Sequence, residues 1–275
     1  MELSDSVLDH LRHVAALPDL SGTRYQLESE IGRGGLGIVY QALDRELGRR
    51  VALKVLDPAM AGEAILIARL EHPSVVPVYE TGSLPDGRAF YAMKLVGGAR
   101  LDRYLSGNPS LGERLRAIRR VGEALAFAHA RGVIHRDLKP QNVMVGEFGE
   151  VYVMDWGVEA VAGTPAFRAP DPRLDQRSDI YALGALLRFL LPAAAPPALR
   201  AIVAKAMHQN PDSRYTDVAA FLADLERFQE GSAVEAWREP WWHRLQRFGQ
   251  RNAVLLWLLA AYVAVKFLLY FLRNV

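Results

Sequence analysis

Cysteine is absent from the 275 residues. The chain can build neither a disulfide framework nor a thiolate metal site, and it suits a reducing compartment. An excess of one charge is also missing. The formal net charge is +2, too small to draw the chain to a polyanion, and no nucleic-acid motif appears, so nucleic acid is not an expected partner. The opening residues, MELSDSVLDH, are acidic and lack the apolar core that a secretory signal needs. No internal repeat is visible. What is left is globular composition, 51% hydrophobic and 23% charged, in a length that suits one large domain or two lobes around a cleft.

One long apolar run stands apart. Residues 253–272, AVLLWLLAAYVAVKFLLYFL, hold a single charge, Lys266. As a helix the run is ~30 Å long, one hydrocarbon core. Its Leu, Val and Phe outweigh one off-centre lysine, which costs at most about 3 kcal/mol and can extend toward the interface. Arg244, Arg247 and Arg251 precede the run, with Trp241 and Trp242 further upstream where they suit headgroup depth, and Arg273, Asn274 and Val275 follow it. The expectation is a single-pass C-terminal transmembrane helix in contact with lipid, with the preceding domain in the cytoplasm. A buried or surface-lying apolar helix is the alternative.

Residues 5–17 place Val7, Leu8, Leu11, Val14 and Ala15 at helical spacing before Pro18. Packing on the next domain is the plain reading, a partner-binding helix the sharper one. From Tyr25 the pattern turns to short strands: YQLESEIG, GIVYQALD, RRVALKVLD, VVPVYETGSL and RAFYAMKLV, the last two around Pro85-Asp86-Gly87. A helical stretch, GEAILIARL, interrupts them. After Gly98 helices dominate, at 111–130, 178–191, 197–209 and 216–229. The exceptions are VIHRDLKPQNVMV, residues 133–145, which reads as strand, loop, strand, and the strand EVYVMD. The fold class is α+β, a β-rich lobe followed by a helical one. The divisions are an N-terminal amphipathic helix and linker at 1–24, the main domain at 25–230, a basic linker at 231–252 and the apolar helix at 253–272.

GRGGLGIVY sets Gly32, Gly34 and Gly37 between two strands. Glycines let a backbone turn tightly and aim its N–H groups at an anion. A dinucleotide-binding reading needs a helix to follow; Ile38, Val39 and Tyr40 continue as strand instead, so a hairpin over a ligand fits better. A plain glycine hairpin fits the same residues. Lys54 lies among Val51, Ala52, Leu53 and Val55. A lysine there is costly unless paired or bound to an anion. Glu63 on the following helix is the available partner, and an exposed edge lysine is the bland alternative. In residues 133–145, Asp137 can orient and deprotonate a hydroxyl, Lys139 can neutralise charge on a moving phosphoryl group, and Asn142 can offer an amide oxygen to Mg²⁺. His135, beside Val133 and Ile134, reads as a core histidine before it reads as a base. VMDWG adds Asp155 as a second hard oxygen ligand.

In this order the motifs resemble the bacterial, eukaryotic-like (Hanks-type) serine/threonine protein kinases. The matching residues are Gly32, Gly34, Gly37 and Val39, Lys54 in VALK, His135-Arg136-Asp137 with Lys139 and Asn142, Asp155-Trp156-Gly157, GTPAFRAPD, RSDIYALG with Asp179, and NPDSRY with Arg214. The set matches the phosphoryl-transfer signature of protein kinases and covers about residues 25–230. The resemblance implies a two-lobed kinase fold, ATP and protein hydroxyls as substrates, and Mg²⁺ (or Mn²⁺). It implies that Ile31 and Gly32 to Gly37 cover the nucleotide and that Lys54, oriented by Glu63, holds the α- and β-phosphates. Met93 stands behind the adenine, Lys94 to Val96 form the hinge, and Val39, Ala52 and Met144 sandwich the base. The resemblance further implies that Asp137 is the base toward the substrate and that Asn142 and Asp155 ligate the metal.

The sequence also departs from that pattern. Trp156 replaces Phe, and Asp171 replaces Glu in the APE-like triplet. Lys54 and Glu63 stand only nine positions apart, and Asp155 and Asp171 only sixteen. The stretch VEAVA after Gly157 offers no hydroxyl for an activating phosphate, so the activation segment reads as shortened and Arg136 loses its usual phosphate partner. After Leu191, PAAAPPALRAIV enters the last helices directly, which reads as a reduced substrate-docking region. The expectation is a membrane-anchored serine/threonine kinase. The rivals are a pseudokinase acting as an ATP-binding or structural membrane scaffold, and a small-molecule phosphotransferase of the same fold.

Overall fold

A computed structural model describes residues 17–34, 37–56, 69–156, 165–171 and 175–240, together with scattered helical residues between 257 and 270. Strands β1 (Tyr25–Gly34), β2 (Gly37–Asp44), β3 (Arg49–Leu56), β4 (Val78–Ser83) and β5 (Ala89–Lys94) form a five-stranded sheet in the order β1-β2-β3-β5-β4. Every pairing is antiparallel. The middle strand, β3, is buried from Val51 to Leu56, which is why its sequence is an unbroken apolar run apart from Lys54. Side chains on a strand alternate between faces. Val51, Leu53 and Val55 enter a small core with Tyr25, Tyr40, Phe90 and Ala92. Ala52 and Leu56 enter the main core with Tyr91 and Met93. Lys54 is therefore delivered to the face of Ala52 and Met93, and Val39, its partner across β2 and β3, joins it there.

Gly37 opens β2 with φ at +145°, and a Cβ at that position would lie 2.1 Å from the Val55 carbonyl oxygen. Only glycine allows the hairpin to close this tightly on β3.

A second sheet holds β6 (Gly98–Arg100), β7 (Val143–Gly146) and β8 (Val151–Val153). The helices are α1 (Leu101–Tyr104), α2 (Leu111–His129), α3 (Gln176–Leu190), α4 (Pro197–Ala206) and α5 (Val218–Gln229). α2 begins at a capping box in which Ser110 and Glu113 bond reciprocally. Its buried residues Leu115, Ile118, Val121, Leu125 and Ala128 follow the helical period. α3 and α5 are capped by Asp175 and Asp217. α3 and α4 approach closely at Gly184, where a Cβ would stand 2.6 Å from that of Ala206.

The β-rich first part and the helical remainder agree with the α+β expectation. Two local expectations need correction. The strand expected from Val75 starts only at Val78, because Val75 and Val76 turn into the main core and Val75 bridges Val153 instead. Residues 133–138 form no strand. There the N–H groups of His135 and Arg136 donate to the Asp179 carboxylate at 2.8 and 2.9 Å, so side-chain acceptors replace a strand ladder.

The chain stays packed beyond α5. Val234 is buried in the main core and Trp237 packs on it. The buried Asp224 carboxylate accepts hydrogen bonds from the Glu235 N–H at 2.7 Å, the Ala236 N–H at 3.0 Å and the Tyr215 hydroxyl at 2.9 Å, and pairs with Arg227 at 2.8 Å. These four partners hold its pKa below the usual carboxylate value against the raising effect of burial. The ordered unit thus continues past residue 230, into the stretch expected as linker.

Other expectations lie outside the described residues: the helix at 5–17 but for Leu17, the helix carrying Glu63, and residues 157–164 after the metal motif. The same is true of most of residues 253–272; those described there, including Trp257, Tyr262 and Tyr270, are helical and exposed. Among the described residues no helix is long and apolar enough to cross a membrane.

Candidate active site

The cleft face of β3 carries the first charged group. Lys54 is almost fully buried, and its Nζ donates to Asp155 Oδ1 at 2.8 Å. Asp155 follows β8 in a left-handed conformation, φ 57°, which side chains other than glycine adopt at a cost. The buried Trp156 helps hold that turn: its indole N–H donates to the Val153 carbonyl at 3.1 Å, and its ring packs on His135 with centroids 4.8 Å apart.

His135 is fully buried. Its Nε2–H donates to the Met154 carbonyl at 2.9 Å, and its Nδ1 accepts the Asp137 N–H at 3.3 Å. These two bonds fix the neutral Nε2–H tautomer, and burial lowers its pKa in the same direction. Both ring nitrogens are occupied by backbone, so the ring props the loop and is not placed to act as a base. Arg136 is also left-handed, φ 69°. Asp179 of α3 straps this strained turn from below: beside the two backbone bonds already given, it pairs with His129 Nε2 at 2.8 Å.

The strap presents Asp137. Its Oδ2 accepts from Lys139 Nζ at 2.6 Å and from Asn142 Nδ2 at 3.1 Å, and the same Nδ2 donates to the Asp137 carbonyl at 2.8 Å. The Asn142 carbonyl in turn accepts the Met154 N–H at 2.9 Å, tying the loop to the strand that ends at Asp155. Two positive groups and one amide thus surround two carboxylates. With its Nδ2 committed to Asp137, Asn142 keeps its Oδ1 for a cation, and Asp155 keeps its second carboxylate oxygen. Two hard oxygens fit an ion such as Mg²⁺, which takes its remaining ligands from phosphates and water. Among the described residues no cluster of three or more His, Asp or Glu offers a denser metal site.

Ala52 and Met93 are buried in the main core; Val39 and Val96 are half-buried and pack against it. Met144 is half-buried on β7, opposite Tyr152. Ile31 is exposed on β1, and a Cβ at Gly34 would meet nothing within 4 Å, so internal packing does not demand glycine there. Gly32 pairs with Val39. Lys94 closes β5, and Leu95 and Val96 follow as irregular, half-buried chain. Glu63, expected beside Lys54, is not among the described residues.

The family profile "Protein kinase domain" matches residues 25–211. The chain belongs to the protein kinase family. Its relatives include a probable serine/threonine-protein kinase of Streptomyces coelicolor, 33% identical over 80% of this chain and 42% of its own length. The serine/threonine-protein kinase PknL of Mycobacterium tuberculosis is 34% identical over 80% of this chain and 69% of its own. PknB of Mycolicibacterium smegmatis is 33% identical over 80% and 45%. The chain thus spans less than half of two of these bacterial serine/threonine kinases and about two thirds of the third.

In this kinase the residues that depart from the family pattern are also accounted for structurally. Asp171 reaches Arg214 Nη2 despite its shorter side chain, and the Arg214 guanidinium further donates to the carbonyls of His208 and Arg177 at 2.8 and 3.0 Å. Trp156 fills the place where the motif has Phe and adds the indole hydrogen bond. Only residues 191–196 connect α3 to α4. Two contributors had weak sequence signals: His129, which reads as one more α2 residue, and Tyr152, which reads as strand filler.

Proposed function

We propose that this chain is an ATP-dependent serine/threonine protein kinase that moves the γ-phosphoryl group of ATP to a protein hydroxyl. The observation that carries the reading is the meeting of Lys54 and Asp155 at 2.8 Å beside Asp137, whose carboxylate Lys139 and Asn142 hold in place. Lys54 positions the α- and β-phosphates. Asp137 orients the substrate hydroxyl and takes its proton as the oxygen attacks the γ-phosphorus. Lys139 neutralises charge on the transferring group, which leaves ADP. A divalent ion held by Asn142 and Asp155 would supply further charge neutralisation on the phosphates. Val39, Ala52, Met93 and Met144 enclose the adenine, and Ile31 with the glycine loop covers the nucleotide.

Transfer of label from γ-labelled ATP to a generic protein substrate tests this. Wild type transfers; Lys54→Met lowers the rate by ~10²-fold or more, through loss of the charge on the phosphates. Equal rates would place the nucleotide elsewhere. No transfer by wild type would favour the scaffold reading, which the short connection at residues 191–196 supports.

Membrane attachment through residues 253–272, with the catalytic domain in the cytoplasm, completes the proposal. It rests on the apolar run and its basic upstream flank. The shortened, hydroxyl-free stretch after Gly157 supports activity that does not depend on a loop phosphate. Alkaline carbonate washing of cell membranes is expected to leave the full chain in the pellet and to release a chain ending at residue 240. Release of both would show that the run does not span.

A further inference from the structure

The two sheets meet at a polar contact that neither motif nor composition announces. Lys94, the last residue of β5, donates from Nζ to the Tyr152 hydroxyl of β8 at 2.6 Å. Tyr152 is buried, 7% exposed. A buried tyrosine hydroxyl needs a partner, and Lys94 is the one it has among the described residues. The Lys94 N–H is also committed, to the Pro77 carbonyl at 3.0 Å. β8 is tied to the same segment through the Val153 N–H and the Ser74 carbonyl at 2.8 Å. Lys94 is thus fixed at backbone and side chain, while the next two residues, Leu95 and Val96, make no hydrogen bond among the described residues although both are half-buried.

Backbone groups of Leu95 and Val96 that no protein group satisfies are left for water or a ligand. They are useful to a ligand only if they stand still, because ordering a loop at the moment of binding subtracts from affinity.

We propose that the Lys94–Tyr152 contact is a latch between the two sheets that pre-orders residues 94–96 for the nucleotide, making Tyr152 a positioning residue for ATP. The inference rests on reading the cleft as an ATP site. Tyr152 touches no reacting atom. It acts through Lys94 on the chain that follows, and through β8 it shares a strand with the approach to Asp155. The simpler account is a strand-end lysine that merely covers a tyrosine; it predicts a stability effect without a nucleotide effect.

The experiment is a mutant cycle on the full chain with Lys94→Met, Tyr152→Phe and both together. The readouts are the ADP dissociation constant by calorimetry, KM for ATP and kcat at saturating ATP. Each single variant is expected to weaken nucleotide binding ~3–10-fold, and the double variant no more than either, as for one shared hydrogen bond. The loss falls on KM and Kd, with kcat little changed, and Lys94→Arg restores most of it. Wild-type affinity in the single variants, multiplying losses in the double, or a rise in kcat would overturn the latch while leaving the ATP reading intact. Failure of wild type to bind ADP or ATP would remove both.

Discussion

Asp137→Asn will lower kcat by ~10²–10⁴-fold, the usual share of a general base. Nucleotide affinity and thermal stability will stay close to wild type. The substitution is isosteric, and the side-chain oxygen can still accept from Lys139 or Asn142, which hold Asp137 at 2.6 and 3.1 Å. What disappears is the negative charge that, in the proposed function, draws the proton from the incoming hydroxyl. Labelled-ATP transfer measures the rate, calorimetry the nucleotide affinity and a melting curve the fold. A variant retaining more than about a tenth of wild-type kcat lies outside the range of a lost general base and would move the base to another group. A variant that also lost ADP binding would show that Asp137 shapes the nucleotide pocket rather than the transfer step.

A different loss is expected at Asp179, 1% exposed on α3. It accepts the N–H groups of His135 and Arg136 and pairs with His129. Asp179→Ala leaves all three donors facing a protein interior. The expected cost is several kcal/mol, ~1–3 kcal/mol for each buried donor left unsatisfied. Asp179→Asn keeps an acceptor oxygen and should cost less, about 1–3 kcal/mol. Urea unfolding followed by fluorescence reads both, and the order Asn before Ala is part of the expectation. Because the lost bonds also hold Arg136 in its left-handed turn, the folded fraction of Asp179→Asn should show reduced kcat with nearly unchanged ADP affinity. A midpoint within error of wild type for Asp179→Ala would mean that the turn is held by the His135–Trp156 stack alone.

Much of the site is legible in the sequence because strand alternation is strict. Once Val51, Leu53 and Val55 are assigned to one face, Ala52 and Lys54 must occupy the other, and the buried Lys54 charge marks that face as the one that needs a partner or an anion. Asp137, Lys139 and Asn142 are close in sequence, and a short loop brings them together. The misread features depend on partners far along the chain. Residues 133–138 look like strand from their apolar start, yet their backbone is satisfied by Asp179, more than 40 positions away. Tyr152 looks like any aromatic in a strand, and only the meeting of two sheets gives its hydroxyl a lysine. The chain past residue 230 reads as a basic linker because its attachment uses backbone N–H groups, which every sequence has; the information sits in Asp224 on α5, whose carboxylate receives them.

That attachment has a mechanical consequence. The clamp at Asp224 makes residues 235–236 a fixed post on the helical lobe. If residues 253–272 anchor the chain in a bilayer, as proposed, the leash between post and anchor includes residues 241–252, whose contour covalent geometry limits to ~40 Å. On that proposal the catalytic cleft would stay within a thin shell above the bilayer. Targets held within that shell meet the enzyme at a local concentration set by leash length, not by expression. On the same proposal, releasing the clamp with Asp224→Ala would lengthen the leash and dilute the cleft over a larger volume without touching an atom of it.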